Sequence, residues 1–146
     1  MQKQVISRKA VLNSLWHGTS QKYYQSIKNK GLLIATTPKK GASALIKERH
    51  YDSLAVICLT DHPQNARFYT AILNAGKQDD FLIVEIDKLA LKNDLLIRRK
   101  KSRGEGKRLI KGAEYDYYEN IPTYAIKNFY VWDDKLKDFS RSNKRR

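Results

Sequence analysis

Three short segments of this 146-residue chain carry side chains whose types and spacing could do chemistry. The first is Trp16-His17-Gly18-Thr19, an imidazole followed by a residue that lets the backbone approach a bound ring closely. A lone histidine is more often a structural hydrogen-bonding group than a ligand contact, so this segment decides little alone. The second is Cys58-Leu59-Thr60-Asp61-His62-Pro63, where an apolar run ends in polar groups at an expected turn. The third, Glu114 to Glu119, holds three carboxylates directly after a basic stretch whose positive potential favours an ionised acid. Glu114 is nearest that stretch, while spacing alone leaves Asp116 and Glu119 as competitors. His17, His50 and His62 show no HxxxH or HxH spacing, so no metal site is expected. Neither GxGxxG nor the P-loop pattern occurs, which sets aside the usual nucleotide-phosphate cradles.

The elements that must position these groups follow from the apolar pattern. A short strand is expected to end at Trp16, with Thr19 or Ser20 capping a helix that runs to about Lys30 and stops at Gly31. Tyr23, Tyr24 and Ile27 share one face of that helix by spacing. Leu32-Leu33-Ile34 reads as extended, and the polar stretch with Pro38 and Gly41 as a loop. Ala55 to Leu59 suits a strand buried on both faces. Thr60 or Asp61 would cap the next helix, Pro63 fits its first turn, and Ala66, Tyr69, Ile72 and Leu73 continue its apolar stripe to Gly76. Phe81 to Ile86 is expected as a central strand, Leu95 to Ile97 as a third, Glu114 to Tyr118 as a fourth, and Asn128 to Trp132 follows a turn at Pro122. Few helices, early in the chain, among six or seven strands predict an α+β fold with a mixed or antiparallel sheet rather than alternating βαβ units. One domain is expected over residues 1–132, with 133–146 as a basic C-terminal tail.

Composition narrows the class. Lys and Arg number 29 against 15 Asp and Glu, a formal charge of +14. Hydrophobic residues make up 41% of the chain, enough for a packed interior and against wholesale disorder. No apolar run reaches bilayer length, the start MQKQVISRK lacks a signal-peptide core, and the one cysteine, Cys58, has no internal partner. A soluble, cytoplasmic protein with no membrane partner is expected. The segment Arg98 to Lys111 holds eight basic residues (Arg98, Arg99, Lys100, Lys101, Arg103, Lys107, Arg108 and Lys111) and one Glu, half of the net charge. So local a surplus favours a polyanion such as nucleic acid over a merely solvated surface.

Taken in order, these segments resemble the His-Tyr-Glu branch of the ADP-ribosyltransferase superfamily. That branch includes the poly(ADP-ribose) polymerases, toxins that modify DNA bases, and RNA 2′-phosphotransferases. The likeness spans roughly Leu15 to Trp132: Leu-Trp-His-Gly-Thr-Ser with a helix and Lys-Gly-Leu after it, the strand-turn-helix of Cys58 to Tyr69, and a glutamate seven residues before Ile121-Pro122. It implies a split mixed or antiparallel sheet with a few short helices. NAD is then the substrate and no metal is needed. His17 would bond the adenosine ribose, Gly18 the nicotinamide amide through its backbone, and Thr19 the ribose side. Glu114 would bind the nicotinamide ribose 2′-hydroxyl, stabilise developing positive charge and take a proton from the acceptor. Cys58 stands where the family usually has its first tyrosine, and Tyr69 matches the second aromatic that stacks on nicotinamide. Arg49 or Arg67 would pair with the pyrophosphate; the sequence does not choose between them.

In the same family the loop ahead of the glutamate contacts the acceptor, and here that loop is the basic one. The resemblance therefore implies mono-ADP-ribosylation of nucleic acid, single-stranded RNA ahead of DNA, with Tyr115, Tyr117 and Tyr118 available to stack bases. By analogy it also implies a toxin or anti-phage effector held in check by an antitoxin or inhibitor protein. Two alternatives belong to other classes: an RNA 2′-phosphotransferase, and an inactive nucleic-acid-binding domain of the same fold.

Overall fold

The computed structural model describes residues 4–34, 56–67, 80–99 and 112–142. Seven strands form one sheet: β1 (Ser14–Ser20), β2 (Ile57–Thr60), β3 (Phe81–Asp87), β4 (Leu96–Arg98), β5 (Glu114–Tyr117), β6 (Ile126–Asp133) and β7 (Asp138–Arg141). Their order across the sheet is β4-β5-β2-β1-β3-β6-β7. Every pairing is antiparallel, so the choice between mixed and antiparallel resolves to the latter. β3 is central because Phe81 to Ile86 is apolar on both sides apart from Glu85, and all six residues are buried between β1 and β6. β1 runs four residues beyond the expected end at Trp16, since β3 pairs with all of Ser14 to Ser20.

One helix covers each face. Ser20 caps a 3-10 turn (Gln21–Tyr23) by accepting from the Lys22 amide, and α1 (Tyr24–Lys30) follows. Ile27 faces the cluster of Leu15, Leu59, Leu82, Val84 and Ile86, and Tyr24 meets Phe129 edge-on at 4.8 Å. Tyr23, expected on that face, is exposed. Gly31 ends the helix at φ +81°, and a Cβ there would collide with the Ile121 carbonyl, the partner of Leu32 across an isolated bridge. A second helix, α2, is helical over 63–67, with Pro63 in its first turn as expected. Its Ala66 joins Ile6, Trp16, Phe81, Ile83, Tyr130 and Phe139 on the opposite face. The rest of its stripe, from Tyr69 on, lies outside the described residues, as does the loop around Pro38 and Gly41.

The C-terminal boundary needs correcting. β6 extends to Asp133, and β7, inside the segment set apart as a tail, buries Phe139 in the core. Its outer edge is covered by the N-terminal segment, where Ile6 donates to the Phe139 carbonyl and Arg141 to that of Gln4. An apolar residue at alternate positions was enough to recruit this strand, which the basic ending of the chain concealed.

Directly opposed residues share a face, so one line of side chains, Glu114–Thr60–Trp16–Glu85–Asn128, crosses β5, β2, β1, β3 and β6. Both acids in it are buried. Glu85 accepts from Ser14 Oγ, Asn128 Nδ2 at 3.0 Å and Tyr130 Oη at 2.9 Å, with Lys127 Nζ at 3.5 Å. Burial is the largest influence and opposes ionisation, but these bonds and the Lys127 charge outweigh it and hold the carboxyl below its ordinary 4.5. A depressed folded-state pKa adds stability above the unfolded value that is lost as pH falls through the folded one. Glu85→Gln should therefore cost about 1–3 kcal/mol in denaturant unfolding at pH 7. Its deficit relative to wild type should shrink below the ordinary carboxylate range. Equal stability at pH 7 would remove this network from the account.

Candidate functional site

β2 is paired along its whole length with β5 but meets β1 at one residue pair, Trp16 and Thr60. Beyond that pair the two strands part, leaving a seam between His17–Gly18 on one lip and Cys58 on the other. His17 Nδ1 lies 2.8 Å from the Cys58 carbonyl oxygen across it. A carbonyl only accepts, so Nδ1 carries the hydrogen, and Nε2 of the neutral ring is an acceptor. The histidine thus satisfies a backbone carbonyl of β2 on the side where that strand has parted from β1. Gly18 and Thr19 continue along β1 opposite Ile83 and Leu82.

Glu114 stands on the far side of β2, opposite Thr60, and is only 4% exposed. β1 and β5 are two strand spacings apart, about 10 Å. His17 and Glu114, ninety-seven positions apart in sequence, therefore flank the same short strand. The turn after β2 pins the backbone just before Glu114. Thr60 Oγ1 donates to the Ala113 carbonyl at 3.2 Å and accepts from the fully buried Asn65 at 2.7 Å. The Asp61 amide also donates to the Ala113 carbonyl, at 3.1 Å, and Asp61 Oδ1 accepts from the Ala113 amide at 2.7 Å. Capping of α2 thus falls to Thr60 and His62, which accept from the His62 and Gln64 amides, while Asp61 reaches across to β5. Gly112, at φ +69°, lies so close to Asp61 Oδ1 that a Cβ would collide with it.

The three competing carboxylates are now separated. Asp116 accepts from the Arg99 guanidinium, through Nε at 3.1 Å and through Nη2. Glu119 pairs with Lys92 Nζ at 2.9 Å on an exposed surface. Glu114 alone of the three is buried.

Arg99 overturns part of the basic-loop expectation. Its side chain is 14% exposed, and besides Asp116 it reaches Cys58 Sγ at 3.6 Å, so it is a structural cation rather than a phosphate contact. Arg98, one residue earlier, is exposed. Lys100, Lys101, Arg103, Lys107, Arg108 and Lys111 lie outside the described residues, as do Arg49 and Tyr69. Arg67, one of two expected pyrophosphate partners, is instead committed to Asp138 at the start of β7, at 2.9 and 3.2 Å, and to Gln64. Burial pulls its pKa below the ordinary value, against the pull of Asp138. Of the tyrosines offered for stacking, Tyr117 is buried and accepts from the Lys92 amide, Tyr115 has Lys88 Nζ 5.4 Å from its ring centroid, and Tyr118 is exposed. Among the described residues no three His, Cys, Asp or Glu gather as a metal site, and no helix is long and apolar enough to cross a membrane.

No family model and no curated protein matches the chain in sequence. In three dimensions it is similar to the solved structure of EcPltA, with a TM-score of 0.52 over 89% of this chain and 82% of that one, at 14% identity. The likeness is one of fold. It extends over most of both chains, so the split sheet and its order are shared architecture rather than a local coincidence.

Gly112→Ala tests the pin before Glu114. A left-handed Cβ costs about 1–2 kcal/mol, and displacing Asp61 adds about 1 kcal/mol for its lost bond. Thermal unfolding should show a loss of about 2 kcal/mol or more. An unchanged melting temperature would show that Asp61 does not fix this backbone.

Proposed function

We propose that the chain is an NAD-dependent ADP-ribosyltransferase that modifies nucleic acid, single-stranded RNA ahead of DNA. The observation that carries this reading is the placement of Glu114, buried on β5 with both ends of the basic segment beside it. Arg99 donates its amide to the Glu114 carbonyl at 2.9 Å, and Gly112 lies two residues before Glu114. Residues 100–111, with six basic side chains and one Glu, therefore leave from and return to this one carboxylate. A protein acceptor would not need that charge; a phosphate backbone uses it directly.

The residues suit the chemistry. His17, with Nδ1–H spent on Cys58, offers Nε2 as acceptor for a ribose hydroxyl of the dinucleotide. Gly18 lets its backbone approach the nicotinamide amide. In the transfer, the bond between ribose C1′ and the nicotinamide nitrogen breaks and its electron pair leaves with nicotinamide. An acceptor nitrogen or oxygen then bonds to C1′, and its proton passes to Glu114 or solvent. Glu114 stabilises the positive charge that develops on the ribose, where its buried position makes its charge more effective than in water. Cys58 supplies no aromatic face, so Tyr69 is the remaining candidate for stacking on nicotinamide. An enzyme of this kind harms its own cell, and a restraining antitoxin or inhibitor partner follows from that activity rather than from any residue.

Incubation with labelled NAD and separate RNA, DNA and protein pools tests the reading. Label on RNA or DNA is expected, and Glu114→Gln should reduce it at least about 100-fold while leaving the melting temperature within a few degrees. Label on protein alone overturns the acceptor. Nicotinamide release only with 2′-phosphorylated RNA supports phosphotransfer, and none under any condition supports an inactive binding domain.

A further inference from the structure

Arg99 makes three contacts that together fix one point of the fold. Its amide holds the Glu114 carbonyl, its guanidinium holds Asp116 two residues further along β5, and Nη2 reaches Cys58 Sγ on β2. The residue is thus clamped to both strands at the start of the basic segment. At the other end Gly112 and Ala113 are held by Asp61 and Thr60, from the far end of β2. Both ends of residues 100–111 are therefore tied to the two strands that carry Cys58 and Glu114.

We infer that Arg99 is a positioning residue: through Asp116 and Cys58 it sets where the basic segment leaves the sheet, and so whether nucleic acid or water reaches the carbon that nicotinamide leaves. This deepens the transferase reading and rests on it. Either acceptor forms the new bond to C1′ and gives up a proton, water yielding free ADP-ribose. An acceptor held by the basic segment depends on the geometry of that segment, whereas water does not. Displacement by about 1 Å at such an anchor costs on the order of 100-fold in a positioned reaction. Arginine suits the task because its planar fork grips one carboxylate and a sulfur at once, which a lysine ammonium cannot do.

The test reads the ratio of ADP-ribose transferred to RNA over ADP-ribose released to water, in the full-length protein with labelled NAD. Arg99→Gln and Asp116→Asn should each lower that ratio at least about 10-fold. The exchanged pair Arg99→Asp with Asp116→Arg should recover part of the loss. If Arg99 were instead a phosphate contact, Asp116→Asn would liberate its charge and leave the ratio unchanged or raised, which overturns the inference. An unchanged ratio in Arg99→Gln overturns it too. Should Arg99→Gln not fold, Arg99→Lys is the second variant, expected to lower the ratio while keeping the charge, and an unchanged ratio there counts against the inference equally. Wild-type protein that releases no nicotinamide sinks the transferase reading itself, an outcome distinct from an active wild type with indifferent variants.

Discussion

The sheet is continuous everywhere except at the seam between β1 and β2, and the candidate site follows from that interruption. A single backbone pairing at Trp16 and Thr60 holds the two halves together. Past it, strand β1 stays flat on β3 while β2 stays flat on β5, so neither can close on the other. Backbone groups along an opened seam need partners from elsewhere, since an orphaned buried carbonyl costs roughly as much as a lost hydrogen bond. His17 supplies one such partner by donating to Cys58. The same bond fixes its tautomer, so the structural and chemical roles of this side chain are one arrangement.

The two buried acids on one face show how the same residue type is put to different uses. Glu85 is enclosed by four donors and has no lone pair to spare for chemistry, which is how a carboxylate stabilises a sheet interior. Glu114 lies at the other end of the same line, on the strand next to the sheet edge. There the surroundings hold its backbone, through Thr60, Asp61 and Arg99, rather than enclosing its carboxylate in cations. Arg99 is neutralised by Asp116, so the positive charge placed beside Glu114 comes from residues 100–111 and not from the arginine that opens the segment.

Much of this was legible in the chain. FLIVEI is apolar at consecutive positions because both faces of β3 are covered, and Gly31 marks a helix end because only glycine fits against the Ile121 carbonyl. Glutamate at 85 was hidden for the same reason that β3 was easy to find: one acid in an apolar run reads as an interruption, and its partners Ser14, Asn128 and Tyr130 come from two other strands. Arg99 was hidden among seven other cations, because composition counts charge and does not show which one turns inward. Arg67 was similarly misleading. Its spacing from the strand suggested a site, whereas Asp138, seventy-one positions on, claims it. β7 was missed because two apolar residues in a basic ending give too weak an alternation to announce a strand.

The seam itself is the claim on which the chemistry depends, and a crystal structure of the Glu114→Gln protein with NAD tests it most directly. The account predicts the dinucleotide along the opening between β1 and β2, with its nicotinamide amide on the Gly18 backbone and a ribose hydroxyl donating to His17 Nε2. Dinucleotide bound on another surface, or a seam closed by continued β1–β2 pairing past Trp16, would contradict it.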